Sequence, residues 1–150
     1  MARRTGARQA AMKHIFDTNI LIDYLNGIEA AQTEIERSGE RHISIITWIE
    51  MLAGAHDDAE EDVIDMFLRD FRVVDITRRT AREAVEIRRS RRISLTDAVI
   101  WATARSESAL LVTRNTKDFP RGELGIRVPY ELTPASRPVR RASTPRKASR

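Results

Sequence analysis

The chain has 150 residues and a mass of 17.1 kDa, enough for one domain with a buried core and too little for two. It contains no cysteine, which excludes disulfides, thiolate catalysis and cysteine-ligated metal sites. Its apolar runs span only a few residues each, far short of the about 18 that a transmembrane helix needs. Residues 1–13 are basic but lack the apolar core of a secretion signal, so we expect a soluble, cytoplasmic protein.

The positive charge of the chain is concentrated at its two ends. The formal net charge is +4, yet residues 1–13 and 133–150 carry ten of the 26 lysines and arginines and no acid. Residues 14–132 therefore hold sixteen cations against all 22 acids, a net charge of −6. We predict a folded domain over 13–132 between a basic extension (1–12) and a basic tail rich in proline, serine and arginine. Both ends are predicted to be disordered, and either they bind nucleic acid in a salt-dependent way or they are inert.

Short strand-like runs alternate with helical segments along the domain, which predicts an α/β fold with a mostly parallel central sheet. Five strands are predicted, over residues 13–16, 42–45, 71–76, 110–113 and 126–128. Because ligands bind beyond the carboxyl ends of parallel strands, we expect the functional site at that edge of the sheet.

Apolar residues at helical spacing predict the intervening helices. Their expected ranges are 19–25, 28–37, 47–55, 59–71, a segment capped by Thr77 or Thr80, and 94–106. The helix over 59–71 is expected to place Val63, Phe67 and Phe71 on one face. The helix after Thr77 or Thr80 is expected to share one side among Ala81, Ala84, Val85 and Arg88.

Four acids occupy positions that solvation alone does not explain. Asp17 directly follows the first strand, and Asp118 lies in the loop after the fourth. Asp97 falls in the first turn of a strongly apolar helix, and Glu50 lies on a helix face shared with small and apolar residues. Each has an ordinary alternative: Asp17 as a helix cap, Asp97 as a favourable first-turn acid, Glu50 as a paired core carboxylate and Asp118 as a loop acid.

The combination of these acids predicts a metal site. An α/β fold can bring all four to one edge, where close carboxylates repel one another and raise their pKa values unless a cation lies among them. Since the three histidines lie outside these motifs, the expected cation is a hard one bound by oxygen, Mg²⁺ or Mn²⁺. Such an ion acidifies water and neutralises charge on a phosphodiester, which predicts hydrolysis of nucleic acid.

Four segments carry a resemblance to a known family. They are residues 16–22 (FDTNILI), 44–54 (SIITWIEMLAG), 95–104 (LTDAVIWATA) and 111–119 (LVTRNTKDF). In this order, spread over about 13–132, they resemble the PIN-domain ribonucleases, in particular the VapC-type toxins of toxin–antitoxin pairs. The resemblance implies a three-layer α/β/α fold, a homodimer, Mg²⁺-dependent endonuclease action on RNA and inhibition by a VapB-type antitoxin. It implies contact with DNA only through that antitoxin.

The resemblance also implies roles for individual residues. Asp17, Glu50 and Asp97 match the three most regular acids of the family, with Asp17 and Asp97 as direct metal ligands. Many relatives have a fourth acid at the position of Asn115. Here either Asn115 binds through its amide or a water, or Asp118 supplies the charge, and we favour Asp118.

Further residues are assigned supporting roles. Thr18 and Asn19 are expected to orient Asp17 or a bound water, and Thr47 to do the same for Glu50, although each is equally a simple capping residue. Arg114 and Lys117 flank the site and are expected either to hold the scissile phosphate or to be ordinary surface cations of a loop. RNA binding is expected from the tails and from the arginines at 88, 89, 91 and 92, unless these form only the solvated end of a helix.

Two other classes of protein compete with this interpretation. One is a nucleic-acid or protein-binding module with a non-catalytic metal site and basic tails. The other is a phosphatase, but one large phosphatase class has a second aspartate two residues after the first, where this chain has Asn19.

Overall fold

The computed structural model describes residues 12–133, so the basic ends predicted at 1–12 and 133–150 lie outside the described residues apart from Met12 and Thr133. Five strands form one sheet in the described part: β1 (Lys13–Phe16), β2 (Glu40–Ser44), β3 (Arg72–Val74), β4 (Leu110–Val112) and β5 (Ile126–Arg127). Their order is β3-β2-β1-β4-β5, and every neighbouring pair is parallel. The predicted parallel α/β architecture is confirmed.

The helices that connect these strands agree with the predicted ones to within a few residues. They are α1 (Thr18–Leu25), α2 (Glu29–Glu36), α3 (Ile45–Ala53), α4 (Asp58–Leu68), α5 (Arg78–Arg91) and α6 (Leu95–Ser106). The boundary between β2 and α3 was predicted too late. The Ser44 side chain accepts the N–H of Ile46 and caps α3, so Ile45 opens the helix instead of ending the strand. None of the helices within 12–133 is long and apolar enough to cross a bilayer.

The sheet is covered on both faces, which makes three layers. Successive strand residues point to opposite faces, so Ile15 and Leu111 join the core under α5 and α6, whereas Phe16 and Val112 join the core under α1, α3 and α4. The first core is centred on Trp101, which is fully buried and packs edge to face on Phe119 with 5.5 Å between ring centroids.

Two predicted helix faces are wrong in part. Of the residues predicted for the α4 face, Phe71 is buried and Phe67 packs partly buried against the core, but Val63 is 61% exposed; within the helix, Ile64 and Leu68 are the buried residues. In α5 the buried residues are Thr80, Ala84 and Ile87, and Val85 is 42% exposed. Both helices contain apolar residues on adjacent stripes, and the spacing of 3.6 residues does not decide which stripe meets the sheet.

The strand order places the carboxyl ends of β1 and β4 side by side. Phe16 pairs with Val112, and the backbone N–H of Asp17 donates to the Val112 carbonyl at 2.9 Å. From β1 the chain continues to β2 and β3 on one side, whereas β4 and β5 lie on the other. Such a switch point opens a crevice beyond the strand ends, where α/β proteins bind ligands.

Candidate active site

Asp17 is a buried carboxylate at the junction of β1 and α1, with 5% of its surface exposed. Its Oδ1 accepts the N–H of Thr18 at 2.8 Å, which caps α1. Its Oδ2 accepts from the Thr113 hydroxyl at 2.8 Å and from Asn19 Nδ2 at 3.1 Å. Burial raises the pKa of Asp17, and the bonds from Thr113 and Thr18 partly oppose that effect. Asp17 is therefore both a helix cap and an acid whose orientation is fixed by hydrogen bonds. The predicted contact between Asn19 and Asp17 is present.

Thr113 belongs to the site, although sequence reasoning assigned it no role. It is fully buried and is the first residue after β4. Its hydroxyl donates to Asp17, and the same oxygen accepts the N–H of Asn115 at 3.0 Å. The sequence contains a signal for this residue, because Thr113 follows a buried strand directly, as Asp17 does.

Asp97 lies at the amino end of α6. Ser94 caps this helix by accepting the N–H of Asp97 at 3.1 Å. Burial of the carboxyl raises the pKa of Asp97 to about 6; the bond to Ser94 opposes the rise, and the nearby carboxylates of Asp17 and Asp118 add to it. The carboxyl groups of Asp17 and Asp118 are thus near enough to Asp97 to perturb its titration. The structure thus brings together acids from β1, from α6 and from the loop after β4.

The loop after β4 uses Asn115 to hold Asp118. Asn115 Nδ2 donates to Asp118 Oδ2 at 2.9 Å, and Asn115 Oδ1 accepts the N–H of Asp118 at 3.3 Å. These two bonds fix the Asp118 carboxyl group, whose charge contributes to the raised pKa of Asp97. Asn115 therefore contacts Asp118 through both polar atoms of its side-chain amide.

Glu50 lies at the exposed edge of the same site. The face of α3 that it shares with Ala53 and Gly54 is exposed, so the expectation of an apolar setting is wrong. Thr18 Oγ1 is 3.2 Å from Glu50 Oε1 and 3.1 Å from Thr47 Oγ1, so the hydroxyl in contact with this acid is that of Thr18, and Thr47 contacts Thr18. Partial burial raises the pKa of Glu50, the Thr18 hydroxyl opposes the rise, and the charge of Asp97 adds to it.

Arg114 is engaged inside the protein. Its Nε and Nη2 donate to the two carboxylate oxygens of Asp23 at 2.8 and 3.0 Å, and Tyr130 donates its hydroxyl to Asp23 at 2.8 Å. The Arg114 backbone N–H donates to Asn19 Oδ1 at 3.3 Å. Arg114, expected to hold a phosphate, thus anchors the loop to α1 through a buried acid that sequence reasoning passed over. Lys117 is exposed in the same loop.

The donor set of this edge suits a hard divalent cation. The side chains of Asp17, Asp97 and Asp118 offer carboxylate oxygens, which Mg²⁺ and Mn²⁺ prefer. Within residues 12–133 no three Asp, Glu or His side chains already stand together as a complete metal-binding group. The pKa values of Asp17 and Asp97 are raised instead, and a bound dication would relieve the repulsion between carboxylates that contributes to the rise. The residues present therefore fit such an ion.

The fold and this edge define a class: three-layer α/β proteins with an acidic cluster at the switch point of a parallel sheet. The PIN domain family model matches residues 15–123. The chain belongs to the PIN domain family.

Individual relatives agree with this assignment. Ribonuclease VapC10 of Mycobacterium tuberculosis is 33% identical over 132 residues, covering 83% of this chain and 97% of that protein. Ribonuclease VapC1 of Methanocaldococcus jannaschii is 30% identical over 122 residues, covering 77% and 86%. A toxin–antitoxin complex from Klebsiella pneumoniae contains a chain with a TM-score of 0.75 and 39% identity, covering 80% of this chain and all of that one. The predicted resemblance to VapC-type PIN proteins is confirmed.

Proposed function

We propose that this chain is the toxin of a toxin–antitoxin pair and acts as an endoribonuclease that requires Mg²⁺, with Mn²⁺ as a substitute. The observation that carries the proposal is the convergence of Asp17, Asp97 and Asp118 at one edge of the sheet. Thr113 joins Asp17 to the loop in which Asn115 holds Asp118, and the charges of Asp17 and Asp118 contribute to raising the pKa of Asp97 to about 6. The relatives named ribonucleases, and the toxin–antitoxin complex with a similar chain, support the substrate class and the biological setting.

Asp17, Asp97 and Asp118 are the residues that would hold the ion. When bound, Mg²⁺ acidifies water and neutralises the charge that develops on a phosphodiester during hydrolysis. The protein's own part is to keep its acids in place and ionised. Thr113 and Asn19 orient the Asp17 carboxylate, and hydrogen bonds from Thr113 and Thr18 favour its charged form.

In this proposal Glu50 acts as a proton acceptor and not as a metal ligand. It is partly solvated and its raised pKa lies closer to neutrality than that of an ordinary glutamate. The Thr18 hydroxyl lies against Oε1, which leaves Oε2 to accept a proton at the mouth of the site. No serine, histidine or lysine nucleophile is needed.

The partners follow from the same charge distribution. Glu50 is exposed and Asp97 and Asp118 are partly exposed, so the edge of the site offers an ion-pairing surface for an arginine or lysine, which suits inhibition by a VapB-type antitoxin. We further propose a homodimer in the cytoplasm, with DNA contacted only through the antitoxin.

The direct test is cleavage of total RNA by the full chain with Mg²⁺, with Mn²⁺ and with EDTA. Asp97→Asn is the test variant, because it keeps the shape of the side chain and removes its charge. Asp62→Asn on the exposed face of α4 is the matched control. We expect cutting by the wild type and by Asp62→Asn in either metal, and no cutting in EDTA or by Asp97→Asn.

Two results would overturn the proposal. One is equal cutting by Asp97→Asn. The other is wild-type protein that binds RNA but leaves it intact in both metals, which would favour the binding module. Removal of residues 1–12 and 133–150 then tests whether the basic ends provide that binding.

A further inference from the structure

The arginines of α5 and its C-cap differ in whether they form ion pairs within the protein. Arg91 forms an ion pair with Glu123, and its guanidinium lies 5.0 Å from the ring centroid of Trp101. Arg105 on α6 lies at the same distance from Trp101 and pairs with Glu83. These two guanidinium groups therefore serve the packing around Trp101.

Arg88 and Arg92 are placed differently. One helical turn apart, they line a groove of about 480 Å³ together with Ile93 and Ser94, and no acid lines it. Both arginines are exposed, and neither makes an ion pair with any residue in the described part of the chain. Arg88 Nη1 donates to the Ile93 carbonyl at 3.1 Å, which holds its guanidinium along the groove.

This groove adjoins the acidic site. Ser94, which lines it, is the residue that caps α6 and accepts the N–H of Asp97. Ser94 thus lies between the two exposed arginines and an acid of the candidate centre.

The backbone at Arg92 points to a use for its side chain. Arg92 ends α5 with φ +54° and ψ +36°, the left-handed conformation that glycine adopts at a helix end without cost. Glycine would form the same turn with less strain than arginine. Strained positions of this kind gather at functional sites.

We infer that Arg88 and Arg92 form a subsite for a phosphate of the RNA strand next to the one that is cut. The inference rests on the proposed ribonuclease activity. An acidic centre repels an RNA backbone, so cations must hold the strand beside it. Guanidinium groups suit this task because they donate two parallel hydrogen bonds to a phosphate.

The same helix supplies a matched control. Arg79 and Arg82 lie near its other end, in a groove that they share with Glu83, Glu86 and Arg105. The two carboxylates offset most of the positive charge there. The double variant Arg79→Ala/Arg82→Ala therefore removes the same formal charge from α5 at a place where we expect no phosphate.

The experiment compares Arg88→Ala/Arg92→Gly with this control in the full chain. Glycine at position 92 fits the observed φ, so the turn is preserved while the side chain is removed. Binding is measured in the Asp97→Asn background by fluorescence anisotropy of a labelled mixed-sequence single-stranded RNA between about 50 and 200 mM salt. KM and kcat for cleavage are measured in the active background.

We expect Kd and KM to rise about tenfold for the variant at 88 and 92, with kcat nearly unchanged. The salt dependence of log Kd is expected to fall by about 0.7 for each arginine–phosphate ion pair that the substitutions remove. The control is expected to change Kd less than about twofold. Arg88→Lys/Arg92→Lys is expected to recover the salt slope but only part of the affinity, because lysine lacks the bidentate geometry. If the double variant unfolds, Arg92→Gly alone is used.

Equal Kd, KM and salt slope for the two double variants would overturn the inference, while cleavage by the wild type would leave the proposed function standing. Absence of metal-dependent cleavage by the wild type would instead remove the proposed function and the inference with it.

Discussion

Replacing Asp97 by asparagine is expected to abolish cutting and, in the absence of metal, to stabilise the fold. Burial and the neighbouring carboxylates raise the pKa of Asp97 from 3.8 to about 6 in the folded protein. At pH 7 this difference makes the ionised side chain cost about 3 kcal/mol relative to the unfolded chain. The expected net gain in the free energy of unfolding for Asp97→Asn is smaller, about 1 kcal/mol. Solvent screens the charge at this partly exposed position, and the substitution also removes the favourable interaction with the α6 dipole.

The pH dependence has a definite sign. Because the folded-state pKa is raised, the folded protein holds a proton on Asp97 over a range where the unfolded chain has released it. The wild type therefore loses this stability as pH rises from about 4 through 6, whereas asparagine has no proton to release. The variant should match the wild type near pH 4 and exceed it by about 1 kcal/mol near pH 7.

The assay is urea unfolding followed by far-ultraviolet circular dichroism in EDTA at both pH values, with Asp62→Asn as the control that changes stability by less than about 0.5 kcal/mol. Mg²⁺ at about ten times its Kd should stabilise the wild type by about 1.4 kcal/mol and the variant by less. Two results would refute the reasoning. One is a difference in unfolding free energy between Asp97→Asn and the wild type that is the same near pH 4 and pH 7. The other is a wild type that is more stable than Asp97→Asn in EDTA near pH 7.

Three further substitutions test individual interactions. Thr113→Val removes a donor from the buried carboxylate of Asp17, and we expect urea unfolding to show a decrease of about 1 to 2 kcal/mol together with slower RNA cleavage. Arg114→Met leaves Asp23 buried with its main charge partner gone, and we expect a decrease of about 3 kcal/mol in the same assay. Glu50→Gln lies at an exposed position, so we expect a stability change below about 0.5 kcal/mol but cleavage slower by about 100-fold.

Each of these has a matched control. Thr113→Ser keeps the hydroxyl, and equal destabilisation by serine and valine would show that the hydrogen bond is not the cause. Adding Asp23→Asn to Arg114→Met should recover most of the stability, and no recovery would argue against an uncompensated charge. Glu61→Gln on the exposed face of α4 should cleave at the wild-type rate, and equal slowing there would remove the special role of Glu50.

The order of elements and the location of the site were predictable because both depend on local signals. Short buried strands are visible as apolar runs, and a polar residue directly after such a run lies at the carboxyl edge of a parallel sheet. Asp17 was found by that rule, and Asp118 was found as an acid in the loop that follows the fourth strand. The resemblance of four ordered segments added the family, which the matching family model confirmed. The Mg²⁺ requirement, the homodimer and the roles of the individual acids stay predictions.

Helix phase is where local patterns were insufficient. In α4, Val63 and Ile64 are adjacent apolar residues, and either fits a stripe of helical spacing. The choice of Ile64 depends on how the whole helix packs against its neighbours, which no window of a dozen residues contains.

The hydrogen bonds that tune the site were also beyond sequence reasoning. Thr113 meets Asp17 across 96 residues, and Arg114 meets Asp23 across 91. Both interactions exist because β1 and β4 are neighbours in the sheet, so residues distant in the chain end at one edge. Sequence by itself determined which acids stand at strand and helix ends, since backbone pattern and side-chain chemistry are local. Only the tertiary structure decided which of them touch, which donors hold them and which arginines are already engaged, because those facts depend on the strand order and on packing between distant segments.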